Sequence, residues 1–302
     1  MHVVLTYDTE EPGQCIPKLR IIWDVHRSFD APLTIFVVGR LLEEEGPDLK
    51  RMIDEAPGLW DVNSHSYSHA RMLPKAPWSK ESSSAEEVYE ETQRGVDAVR
   101  RHLDQPCRGF RPRTGAGAGY RGWHGHLDAL RSAGCTWVSA YLKSVFEDAL
   151  PGDLHGPYTY GPDGFDDLIE LPSHGWQDAL LKPFRGLEAL AVRWPSEHAY
   201  PQALVETPQE EFEVYRTTLN AAEAAGLPFC CLCLHPWTMI RDTDPGGKAI
   251  ELVLDYARKQ GWEVSTLDAE AALCREEPDR LVVAPEIPPQ RTPGYDVARN
   301  FA

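Results

Sequence analysis

Short apolar runs alternate with longer amphipathic segments along almost the whole chain, and this alternation restricts the fold more than any other feature. The runs are VVLTYD at residues 3–8, PLTIFVV at 32–38, residues 59–64, 107–111, 136–141 and 168–171, FCCLCLH at 229–235, and residues 262–266. Several are apolar nearly throughout, as strands buried on both faces of a parallel sheet must be. The segments at 19–29, 41–56, 84–103, 123–133, 210–225 and 248–259 read as helices, and Ser84 three residues before Glu87 predicts a capping box. About seven or eight strands separated by helices predict an α/β chain whose parallel strands curl into a barrel. Residues 1–277 read as one domain, without repeat or linker. Residues 278–302 are dense in proline and are expected to form an extended tail on the surface or in a subunit contact, which leaves a homo-oligomer open. Residues 143–164 are loop-rich and expected to cover a site.

Ionisable residues fall at the ends of these runs. Tyr7-Asp8-Thr9-Glu10 closes the first, Ser64-His65 the third, Arg111 the fourth and His235-Pro236 the late apolar run. In α/β barrels the C-terminal strand ends hold catalytic groups, because the strand fixes the backbone while loops shape the pocket. Four separate strands each supplying such a group is more than solubility demands.

The sharpest motif is His65-Ser66-Tyr67-Ser68-His69. Two imidazoles four residues apart are expected on one face of a helical turn, where both can reach one metal ion. Alternate residues of an extended strand point the same way, so Asp8 and Glu10 can both face the pocket. One of them can complete a two-His, one-carboxylate site, leaving the other free to take a proton from a water. His235 is placed to protonate a leaving amine. Arg111 can pair with a carboxylate and keep it ionised. The run Gly115-Ala116-Gly117-Ala118-Gly119 lacks the Lys-Ser/Thr pair of a phosphate loop and is discarded as one.

Charge narrows the partners. A net charge of −17 repels phosphate backbones and anionic lipid heads, so nucleic-acid and membrane-surface roles are disfavoured. The seven cysteines, three of them within residues 230–233, read as small buried hydrophobes with reduced thiols. With no basic start or long apolar stretch at the N-terminus, the expected location is cytoplasmic.

Taken together, TYDTE, HSYSH, GFRPR and CLHPW occur in the order and approximate spacing of the motifs of the polysaccharide deacetylase (NodB-homology) family, carbohydrate esterase family four, which the chain resembles over residues 3–266. The resemblance implies a distorted (β/α)7-type barrel. It implies Asp8 as catalytic base, His65 and His69 as metal ligands, Arg111 as the residue that orients the base, and His235 as catalytic acid. Thr9 stands where the family usually has a second aspartate. The Asp-x-Glu spacing resembles a branch of the family in which Glu10 would be the third ligand. Arg113 stands where a proline is common, and Trp137 and Trp176 are candidates for the family's Asp/Trp motif. Tyr67, Trp176 and Trp237 are assigned to substrate binding. The implied cofactor is a divalent metal, zinc first, with cobalt, nickel or manganese as alternatives. The implied activity is hydrolysis of an amide, with an acetamido sugar or oligosaccharide as the leading substrate. A cyclic imide, ureide or other small amide is the alternative, and a non-catalytic carbohydrate-binding relative is a third reading.

Overall fold

The structure, a computed structural model, describes residues 1–72, 83–113, 115, 118–141, 154–175, 178–182 and 205–287. The first strand, β1 (His2–Thr9), sorts its side chains by parity. Val3, Leu5 and Tyr7 join a large apolar cluster with residues of the surrounding helices, while Val4 joins a separate cluster with Phe36, Trp137, Ile169, Phe229 and Cys231. The second cluster lies inside the barrel and the first between the sheet and its helices, as a strand buried on both faces requires.

The other strands are β2 (Leu33–Val37), β3 (Trp60–Ser64), β4 (Gly109–Phe110), β5 (Trp137–Val138), β6 (Tyr158–Tyr160), β7 (Phe165–Glu170), β8 (Phe229–Leu234) and β9 (Glu263–Ser265). Their order is β6-β7-β5-β4-β3-β2-β1-β8, with β9 also paired to β1. All pairings are parallel except β6 with β7. The described ladder does not close. One parallel bridge, between His174 and Leu232 of β8, spans the gap beyond β7. His174 makes it with both backbone and ring: its N–H donates to the Cys231 carbonyl at 2.7 Å and its Nδ1 accepts from the Cys231 N–H at 2.9 Å. Nε2 then donates to the His155 carbonyl at 3.0 Å, a neutral tautomer that suits a ring whose pKa burial pushes down to about 4. The architecture is therefore the distorted α/β barrel that the motif order implies.

The helices are α1 (Cys15–Ser28), α2 (Gly39–Glu55), α3 (Ala85–Leu103), α4 (His124–Ser132), α5 (Asp178–Leu181), α6 (Pro208–Ala224), α7 (Pro236–Met239), α8 (Lys248–Gln260) and α9 (Leu267–Glu276). The capping box at Ser84 and Glu87 is present, and Thr207 with Glu210 makes a second one at α6. None of the described helices is long and apolar enough to cross a membrane.

Some elements differ from the sequence expectation. The runs at 107–111 and 136–141 shorten to two-residue strands, because the chain soon turns aside to present Arg111 and Ser139. Within 143–164, residues 154–164 are not all loop: β6 pairs antiparallel to β7 there, while residues 143–153 lie outside the described residues. Helix α9 was not signalled by periodicity; it packs Leu267, Ala271 and Cys274 into the inner cluster. All seven cysteines are buried and none is bonded to another. The described start of the tail runs past β6, where the Val282 N–H donates to the Pro157 carbonyl at 2.8 Å.

Candidate metal centre and active site

Strand ends supply the site. β1 stops at Thr9, and the two-residue period carries the carboxylates of Asp8 and Glu10 to one side, at the mouth of the barrel. Thr9 between them turns its hydroxyl back to the Tyr7 carbonyl at 3.4 Å. Beyond β3, the His65 N–H donates to the Val37 carbonyl at 2.9 Å, which extends the ladder by one residue. The ring of His65 donates from Nδ1 to the Arg111 carbonyl at 2.8 Å, so its Nε2 faces the mouth as a lone pair.

The helical turn expected across HSYSH is absent. Residues 65–70 are irregular, and Ser66 and His69 adopt φ of +65° and +63°, the left-handed region that non-glycine residues rarely enter. These residues fold the segment back on itself, with the His69 N–H donating to Ser66 Oγ at 3.1 Å. The two imidazoles consequently stand 4.8 Å apart, ring centre to ring centre. The motif brings the histidines together, but through two strained residues rather than a helix face.

The donor atoms of Glu10, His65 and His69 all lie within 4.8 Å of one another. Glu10 Oε2 is 2.7 Å from His69 Nε2 and 3.5 Å from His65 Nε2. The His69 Nε2 atom is buried and makes no hydrogen bond. A buried lone pair of this kind is costly unless something electrophilic meets it. One carboxylate and two imidazoles, the tautomer of His65 set by a carbonyl behind it, suit a divalent ion such as zinc. Glu10 is ready for the role: burial would raise its pKa, but the close approach of the His65 and His69 rings, with the charge of His235, holds it well below the usual carboxylate range.

Asp8 stands beside this cluster and is held differently. Its Oδ1 accepts from Arg111 Nη1 at 2.9 Å, and its Oδ2 lies 3.9 Å from both His65 Nε2 and His235 Nε2. Arg111 is fully buried and donates also to Thr6 Oγ1 at 2.7 Å, Ser139 Oγ at 3.0 Å and Ser173 Oγ at 2.9 Å, with Phe36 beneath its guanidinium. The hydroxyls satisfy donors that a single carboxylate cannot. Burial alone would raise the Asp8 pKa; the Arg111 charge, then His65 and His235, outweigh it, and the carboxyl stays below its ordinary value.

His235 enters from the end of β8. Its Nδ1 donates to Asp178 Oδ1 at 2.6 Å and its backbone N–H to Asp178 Oδ2 at 2.8 Å, which leaves Nε2 facing Asp8 and, at 4.0 Å, Glu10 Oε1. Burial works against the imidazolium, but Asp178, Glu10 and Asp8 raise the His235 pKa to about 9. Asp178 is the functional residue that sequence reasoning missed. The available signal was an acid two residues after Trp176, one of the two tryptophans considered for the Asp/Trp motif. The other, Trp137, donates to Asp268 and belongs to the inner apolar cluster.

The aromatic residues divide. Trp237 Nε1 donates to Glu10 Oε1 at 3.0 Å and its ring lies 5.4 Å from that of His235, at the site. Tyr67 turns away: its hydroxyl donates to Glu43 and the Arg94 guanidinium covers its ring at 3.6 Å, between α2 and α3. Trp176 lies outside the described residues.

Residues 1–136 match the polysaccharide deacetylase family profile, a stretch that holds Asp8, Glu10, His65, His69 and Arg111. No curated protein matches the sequence. Among solved structures, the chain is similar to a Mycobacterium smegmatis protein assigned to the polysaccharide deacetylases, at 18% identity and a TM-score of 0.67, over 95% of this chain and 94% of that one. It is similar also to Puue allantoinase (14% identity, TM-score 0.63, 91% and 90% covered) and to a Pseudomonas aeruginosa PAO1 protein assigned to the polysaccharide deacetylases (11% identity, TM-score 0.63, 91% of each).

Proposed function

We propose that this chain, whose residues 1–136 match the polysaccharide deacetylase family profile, is a metal-dependent amide hydrolase of that family, with an N-acetyl group on a sugar or short oligosaccharide as its leading substrate. The observation that carries this reading is the convergence of Glu10, His65 and His69 beside a second carboxylate, Asp8, that Arg111 holds ionised and His235 faces from the other side.

In this reading Glu10, His65 and His69 hold a divalent ion, zinc by the nature of the donors. A bound ion supplies Lewis acidity toward a carbonyl oxygen and toward a water. Asp8 Oδ2, the oxygen not taken by Arg111, removes a proton as water adds to the acyl carbon. Arg111 keeps Asp8 ionised and fixed in direction. His235, protonated and anchored through Nδ1 on Asp178, gives its Nε2 proton to the departing nitrogen. The C–N bond breaks, releasing the amine and a carboxylate. Trp237, whose ring flanks His235, offers an apolar face for the substrate beside the site.

A small-molecule amide is the second reading. The fold shared with Puue allantoinase favours it, as does Glu10 as the third donor in place of a second aspartate. A screen for ring opening and amine release, with acetamido sugars against cyclic imides and ureides in the presence of zinc, tests both. Turnover of the sugars is expected. Turnover of the cyclic amides alone would replace the leading substrate, and turnover of neither would refute the hydrolase reading. The span 1–277 as the catalytic unit and 278–302 as a Pro-rich tail is proposed with it.

A further inference from the structure

Behind His235 and Asp178 lies a buried lysine that the proposed chemistry does not use. Lys182, only 3% exposed, sends Nζ to Glu211 Oε1 at 2.5 Å, to the Thr238 carbonyl at 3.2 Å and to within 4.0 Å of Asp178 Oδ2. Glu211 is fully buried on α6, where it also accepts from the Tyr215 hydroxyl at 2.6 Å and faces Arg241 Nη2 at 3.2 Å. Thr238 closes the loop: its hydroxyl donates to Asp178 Oδ2, the oxygen that also takes the His235 N–H. One ammonium thus joins three segments: α5, which carries Asp178; α7, which follows His235; and α6.

We propose that Lys182 is a positioning residue for the His235–Asp178 pair, acting by fixing the four-residue helix that carries Asp178 against the strand end that carries His235; this rests on His235 being the proton donor. A buried ammonium loses its hydration and is kept only where carboxylates and carbonyls replace it. Core stability alone does not demand one at this place, since a buried ion pair is commonly no better than an apolar pair of the same volume. The segment it anchors is a single short turn, too short to hold its own geometry. Displacement of that turn by about 1 Å would swing the imidazole relative to Asp8, and misplacement on that scale is enough to slow a reaction strongly.

The test is a double-mutant cycle on the zinc-loaded protein with Asp178→Ala, Lys182→Met and their combination. It is read as kcat and KM for amide hydrolysis, zinc content, and the low-field proton resonance of the His235 Nδ1–H···Asp178 hydrogen bond. Lys182→Met is expected to lower kcat by about 10-fold to 100-fold, the usual effect of removing a supporting partner, with KM and zinc unchanged. The low-field resonance is expected to shift or vanish, and the double variant to lose no more than Asp178→Ala alone. Lys182→Gln, which keeps a donor to the Thr238 carbonyl but no charge, is expected to behave likewise and serves if the methionine variant does not fold. An unmoved resonance with unchanged kcat would overturn the proposal, as would a Lys182 loss that adds in full to that of Asp178→Ala. If the wild-type chain hydrolyses no amide, the functional reading fails on its own, and the resonance still decides whether Lys182 fixes the pair.

Discussion

At the scale of single residues, the two acids of the first strand end have separable jobs. Glu10 touches both imidazoles, whereas Asp8 is bonded to Arg111 and stands off them. Asp8→Asn is therefore expected to keep its zinc and lose about 10²–10⁴ in kcat, the range for a general base. Glu10→Gln is expected to lose zinc and activity together. Metal content and kcat measured on the same preparations check both; equal metal loss would mean that the roles are exchanged. The alkaline limb belongs to His235. Its pKa is raised to about 9, so the proton-donating form is present below that value and disappears as pH rises through it. The kcat profile should fall above about pH 9, and Asp178→Asn, which removes the largest source of the rise, should bring that fall to lower pH. A limb that stays in place in Asp178→Asn would contradict this assignment. Asp8, Glu10, His65, Arg111 and His235 were legible because each is a polar group at the end of an apolar run. Asp178 was not, because it sits in a four-residue helix without periodicity and its role exists only through His235.

Elements place these residues, and α3 is the element on which the histidine segment leans. A methyl group at Gly95 would come within 2.5 Å of Ser64 Oγ and 2.7 Å of the Ser66 carbonyl carbon, in the stretch that delivers His65 and bends toward His69. Gly95→Ala gains helix propensity of about 1 kcal/mol but cannot be accommodated without moving that stretch. It is expected to weaken zinc binding measurably, by calorimetric titration. Ser84→Ala, at the capping box of the same helix, is expected to cost about 1 kcal/mol in urea unfolding and leave zinc affinity unchanged. If Gly95→Ala bound zinc as tightly as wild type, the helix would not be buttressing the ligand segment. Helices with strong periodicity and caps were readable, as α3 was. What could not be read was the backbone of 65–70, because an i, i+4 histidine pair has the same spacing whether carried by a helical turn or by two left-handed residues. Helix α9 escaped for a related reason: it buries only a narrow stripe, Leu267, Ala271 and Cys274, into the base of the barrel.

On the scale of the whole molecule, Glu170 ties together strands that are distant in sequence. Its carboxyl accepts from the N–H groups of Ala140 at 2.8 Å and Tyr141 at 2.7 Å and from the Tyr160 hydroxyl, joining β7 to the end of β5 and to β6. Burial pushes its pKa up to about 7, above the ordinary value of 4.5. The folded state therefore binds a proton that the unfolded state releases between those values. The associated stability is complete below about pH 4.5 and is lost as pH rises to about 7. Glu170→Gln removes this dependence, so its urea midpoint should gain on wild type across that window; a constant difference between the two would contradict the assignment. The antiparallel β6–β7 corner was not legible because its aromatic residues sit among glycine, proline and aspartate. The parallel barrel was legible because runs such as FCCLCL admit few other environments. The proposed chemistry requires that Glu10, His65 and His69 grip the ion and that Asp8 does not. X-ray absorption at the zinc edge, on protein loaded with one equivalent, should give two imidazole nitrogens and one carboxylate from the chain, a pattern that Asp8→Asn leaves intact and Glu10→Gln breaks. A zinc environment that changes with Asp8→Asn but not with Glu10→Gln, or no bound zinc in the wild-type protein, would contradict it.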